Sequence, residues 1–151
     1  MQKQFDTLIK SRLLTLKVIE GLTIEQLNKI PDGFKNNIAW NVAHLVVTQQ
    51  LLCYKLAGLD CLVSEKMIAS FQKGTAPTYT ISESEFETIK EQFLQLPTQL
   101  KEDYSNNVFK NYNEYKTSVD VTLNNIEDGI IFNLYHEGIH LGIMLQLLKF
   151  V

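Results

Sequence analysis

Apolar residues recur at helical spacing in four stretches of the chain, separated by segments rich in polar residues, glycine or proline. From about Lys3 to Glu20, positions Phe5, Leu8, Ile9, Leu13, Leu16 and Ile19 mark the face of a first long helix, which Gly21 stops. Thr23 and Gln26 then stand in capping-box spacing ahead of a short helical turn, halted before Pro31 because the residue preceding a proline is pushed out of the helical region. Asn37 is placed to cap a second long helix, "IAWNVAHLVVTQQLLCYKLAG", which ends at Gly58. It is apolar nearly all round, and such a helix belongs in a core.

The pattern loosens in the middle of the chain. Residues 59 to 81 carry a short helix, "SEKMIASF", and a loop punctuated by Gly74 and Pro77. Ser82 and Glu85 repeat the capping-box spacing and open a third long helix, "SEFETIKEQFLQLPTQLKEDY". Pro97 inside it removes one backbone hydrogen bond and predicts a kink. From Ser105 to Asn124 the chain is polar and tyrosine-bearing, and the alternation at Val119, Val121 and Leu123 is only a faint strand signal. Asn124 or Asn125 caps the last long helix, "IEDGIIFNLYHEGIHLGIMLQLLKF", whose first turn holds Glu127 and Asp128, where carboxylates suit the helix dipole.

These elements predict one all-α domain over residues 1–151, a four-helix bundle. Up-and-down bundles have short connections, whereas the link from residue 59 to 81 is long enough for a crossover between parallel helices.

Composition leaves this picture in place and narrows the function. A chain of 151 residues buries roughly two thirds of its unfolded surface and needs no disulfide. The net charge of -3 and a single arginine, Arg12, argue against nucleic-acid binding, which calls for a concentrated basic surface. No stretch is apolar for long enough to span a membrane, and the N-terminus carries no continuous apolar segment of a signal peptide. Cys53 and Cys61 form no C-x-x-C pair and are read as reduced thiols of a cytoplasmic protein.

The chemistry lies in the histidines. The chain has three, His44, His136 and His140. The last two are spaced by four, which sets their rings on one helical face with Cβ atoms about 6 Å apart. Phe132, Ile143, Met144 and Leu147 share that face, and His44 shares its own with Trp40, Val47 and Leu51, so all three imidazoles are expected to point inward. Buried polar groups without partners cost about 1 to 3 kcal/mol each, and one shared metal ion satisfies all three. Neutral nitrogen ligands suit Zn, Ni, Fe, Co or Cu rather than Mg or Ca, and three protein ligands leave a position open for catalysis.

The segment "HEGIH" also fits the H-E-x-x-H pattern of zinc peptidases. That reading is the remote alternative: residues 141 to 151 contain no His, Asp or Glu to act as a downstream ligand. Glu137, about 100 degrees around the helix from His136, is expected to face solvent or a partner subunit. Trp40, Asn41, Tyr135 and Glu137 are near enough in sequence to line the mouth of a pocket.

A histidine in "IAWNVAHLV" on the second long helix, joined to an H-x-x-x-H in "YHEGIHLG" on the last, resembles the DinB/YfiT-like superfamily over essentially the whole chain. The resemblance implies an up-down-down-up four-helix bundle with a divalent metal, Zn or Ni, held by His44, His136 and His140. It also implies a metal-dependent hydrolase, or a transferase or isomerase working with a low-molecular-weight thiol. A homodimer acting on a small-molecule substrate, without nucleic acid or membrane, is expected. The alternative is a non-catalytic metal-binding or dimerising bundle in stress response.

Overall fold

The computed structural model describes residues 1–151, and nearly all its regular structure is helical. The helices are α1 (Gln2–Val18), α2 (Ile24–Asn28), α3 (Ile38–Gln50), α4 (Glu65–Phe71), α5 (Glu83–Ser105) and α6 (Ile126–Leu147). Helix α3 continues into a π-helical turn, Leu51–Lys55, and α6 ends in a 3-10 turn, Leu148–Phe150. Helix α1 packs on α5 and α6, and α3 packs on the same two, so each of α5 and α6 bridges α1 and α3. No helix is long and apolar enough to cross a membrane.

The caps explain where these helices begin. Thr23 and Gln26 exchange both bonds of a capping box, Gln26 N donating to Thr23 Oγ1 and Thr23 N to Gln26 Oε1. Asn37 Oδ1 accepts from Trp40 N at 2.8 Å to open α3, and Asn125 Oδ1 accepts from Asp128 N at 2.8 Å to open α6. At Ser82 only half of the expected box forms: Ser82 Oγ accepts from Glu85 N, while the Glu85 carboxylate turns away to accept from the Tyr79 hydroxyl at 2.6 Å.

Two apolar clusters fill the interior. One gathers α3 with Phe86, Ile89 and Phe93 of α5 and Met144 and Leu147 of α6; the other joins Phe5, Leu8, Leu52, Leu100, Leu123 and Ile130. Between them in sequence on three of the long helices lie buried polar side chains: Arg12 on α1, Gln49 on α3, Asn133 and Glu137 on α6. Arg12 Nη2 donates to Glu137 Oε1 at 2.6 Å, its Nε to the same oxygen at 3.0 Å, and its plane lies 4.5 Å over the Phe93 ring.

Pro97 does not end α5, which runs on to Ser105. A proline has no N–H to offer the carbonyl four residues earlier, here that of Phe93. Arg12 Nη1 fills the gap, donating to Phe93 O at 2.9 Å. The proline and the buried arginine therefore satisfy one another's needs across α1 and α5.

Residues 106 to 124 form a strap with a minimal antiparallel hairpin, Tyr115–Lys116 paired with Thr122–Leu123. Two bonds dock it on the π turn: the Tyr112 hydroxyl donates to Leu52 O at 2.8 Å, and Asn113 N donates to Leu56 O at 2.6 Å. Gly129 lets α6 pass close beneath it, since a Cβ there would stand 2.5 Å from the Tyr112 hydroxyl and 3.1 Å from Leu52 O.

Candidate metal centre

His44 sits on α3 one turn after Trp40, whose indole stacks on it at 4.6 Å between centroids and 11° between planes. His136 and His140 project from α6. Although some ninety residues separate the first from the other two in sequence, one ligating atom from each lies within 4.8 Å of the others.

The hydrogen bonds fix which ring nitrogens face the centre. A carbonyl only accepts, so His44 Nδ1, 2.6 Å from Phe71 O, carries its hydrogen and leaves the Nε2 lone pair free. The same holds for His140, whose Nδ1 lies 2.7 Å from Asn41 Oδ1. The Asn41 amide nitrogen is committed to Asn37 O and Asn36 Oδ1, which orients its oxygen toward the imidazole. His44 Nε2 and His136 Nε2 are 3.3 Å apart, and His136 Nδ1 is buried with no partner.

Electrostatics keep the trio neutral. Burial, with the neighbouring His140 and His44, pushes His136 down to about 3; burial, with His44, pushes His140 down to about 4. His44 is lowered by burial as well, against the opposing bond to Phe71 O. Neutral imidazoles with ligating atoms this close together, two of them oriented through Nδ1 by an oxygen, suit a divalent transition metal. At the centre itself the Nε2 atoms of His44 and His136 crowd to 3.3 Å, an arrangement that one shared cation would satisfy.

A cavity of about 410 Å³ opens beside the histidines. Trp40 and Tyr135 line it with the three imidazoles; Thr48, Lys55 and Lys73 add to its wall, and the strap contributes Thr117, Ser118 and Val119. Asn41 does not line the cavity. It lies behind His140 and orients that ring.

Glu137 requires a correction. It neither lines the pocket mouth nor faces solvent: it is 3% exposed, paired with Arg12. The buried stripe of α6 runs Ile126, Ile130, Asn133, Glu137, His140, Met144 and Leu147, which displaces Phe132 and His136 to its half-buried edge. A carboxylate bound by a guanidinium in the core is not available as a general base to the histidine centre.

Four contributors went unnoticed in the sequence. Thr48, one turn after His44, brings its hydroxyl 3.3 Å from His44 Nε2, and only its spacing of four pointed to it. The Phe71 carbonyl carries no side-chain signal at all. Lys55 and Lys73 come from the π turn and from the loop after α4, and the sequence gives no hint that they meet at one cavity.

A family model described as DinB superfamily matches residues 7–144, a span that includes all three histidines. None of the curated proteins compared with the chain matches it.

Proposed function

The chain belongs to the DinB superfamily, and on that premise we propose that it is a metal-dependent enzyme, a hydrolase or thiol-dependent transferase whose divalent ion, Zn or Ni, is held by His44, His136 and His140. We read the four long helices as an up-down-down-up bundle in one domain, 1–151, with α3 and α5 parallel and the long link passing between their ends. A cytoplasmic homodimer acting on a small molecule completes this reading.

One observation carries it: three imidazoles with ligating atoms within 4.8 Å, neutral, and supported at Nδ1 by Phe71 O and Asn41 Oδ1. Bound there, a divalent ion supplies Lewis acidity and lowers the pKa of a coordinated water or thiol toward neutrality. The chain's own residues do the rest. Asn41 and the Phe71 carbonyl hold two rings in the tautomer that presents Nε2. The apolar wall, including Trp40, Leu51 and Phe132, excludes water and takes the body of a substrate. Thr48 places a hydroxyl beside His44 Nε2, where it can donate to a substrate oxygen or sulfur.

The test is metal analysis of protein purified without chelators, followed by thiol-transfer and hydrolase assays on wild type and His44→Ala. Stoichiometric zinc or nickel that is lost in His136→Ala and His140→Ala supports the centre, and turnover that depends on His44 supports the enzyme. Metal without turnover favours the non-catalytic metal-binding alternative. The peptidase alternative lacks its general base, because Glu137 is committed to Arg12.

A further inference from the structure

The protein as a whole is acidic, with 17 Asp and Glu against 14 Lys and Arg, yet no carboxylate lines the cavity beside the histidines. Two lysines do, Lys55 and Lys73. Neither has a carboxylate within ion-pair distance, so their charge is not neutralised at the cavity. Thr48, Thr117 and Ser118 also line the cavity, and much of the rest of the wall is aliphatic or aromatic.

Lys55 is held in place by more than its own turn. It belongs to the π-helical segment Leu51–Lys55, which also supplies Leu51 and Leu52 to the wall, and π turns recur at functional sites. The strap is bonded to that segment through Tyr112 and to Leu56, the residue after it, through Asn113, and the same strap brings Thr117 and Ser118 to the cavity. Lys73 approaches on the loop that follows α4, beside Gly74 at φ +90°. Unpaired cations at a concave, apolar surface focus a positive potential into it.

We propose that the cavity binds a small organic anion with an apolar body, its head group held by Lys55 and Lys73 and its body by the apolar wall. This substrate class rests on the reading of the cavity as an active site. A volume of about 410 Å³ lies within the range of small-molecule sites. Lysines act as point charges on flexible stems and do not demand a planar, bidentate partner, so the recognised feature is the negative charge itself.

Three probes that share a chain and differ in charge test this: sodium octanoate, octan-1-ol and octylamine, titrated calorimetrically into the full-length protein as purified and after EDTA treatment. In the EDTA-treated protein octanoate is expected to bind about tenfold more tightly than octan-1-ol, with octylamine weakest. The double variant K55Q/K73Q removes that preference and leaves octan-1-ol binding unchanged, while K55R/K73R retains it. Both lysines are exposed, and an unchanged thermal unfolding midpoint confirms that the variants fold.

Equal affinity for octanoate and octan-1-ol, a preference that survives K55Q/K73Q, or no octanoate binding at millimolar concentration overturns the proposal. A preference seen only with metal present also overturns it, since the carboxylate then ligates the ion, and the metal reading stands. A lysine-dependent preference in protein that carries no metal as purified, before any EDTA, supports the anion site while the metal reading fails.

Discussion

Arg12 and Glu137 meet at 2.6 Å in the interior, with their side chains 0% and 3% exposed. Glu137→Ala leaves a guanidinium buried without its counter-charge and is expected to cost about 3 to 5 kcal/mol. Urea unfolding measures this. Replacing both partners with apolar residues, Arg12→Met with Glu137→Leu, is expected to cost less than the sum of the single variants. A loss under about 0.5 kcal/mol for Glu137→Ala would show that the pair is not closed to solvent.

Asn41 supports the proposed metal centre without facing the cavity. Asn41→Leu removes the oxygen that orients His140 through Nδ1. Metal affinity is expected to drop about 10- to 100-fold with the protein still folded. Competition with a chromogenic chelator reads the change, and an affinity within twofold of wild type would rule out an orienting role.

The metal-free protein is expected to lose stability in mild acid. His136 and His140 have folded values near 3 and 4, below the ordinary 6.5. Between about pH 6.5 and 4 the unfolded chain therefore binds more protons than the folded one, and stability falls as pH falls. The slope is at most about 1.4 kcal/mol per pH unit for each histidine. Urea midpoints of EDTA-treated protein at pH 7 and pH 5 check this, and the His136→Gln/His140→Gln variant should flatten the difference.

Gly129 lies where α6 passes under the strap. Gly129→Ala gains about 1 kcal/mol of helix propensity. It also sets a methyl 2.5 Å from the Tyr112 hydroxyl and 3.1 Å from Leu52 O, so a net loss of about 1 to 2 kcal/mol is expected. Adding Tyr112→Phe removes the hydroxyl and should recover part of that loss. No recovery in the double variant would place the strain at the Leu52 carbonyl instead.

Much of this molecule is legible from its sequence because the informative features are local. The Asn37 and Asn125 caps, the Thr23–Gln26 box and the His136–His140 spacing each involve residues within one helical turn. The burial of Glu137 is hidden in the sequence for a related reason. Helix α6 is apolar nearly all round, so no polar side fixes its rotation, and a shift of one residue moves the core from the Phe132–His136 line to Asn133–Glu137. Arg12 carried the missing signal, since the chain's only arginine falls on the same face as Phe5, Leu8 and Ile19. The strap at 106–124 leaves no periodic trace because its anchors are single bonds to Leu52 and Leu56, far away in sequence.

Trp40 is the only tryptophan in the chain, and its ring lies flat against His44. Every photon of indole emission therefore comes from one wall of the cavity. Imidazole protonation, ion capture and ligand entry all alter that ring's surroundings, so the protein reports the state of its own centre as a colour shift or a loss of brightness, without any attached dye.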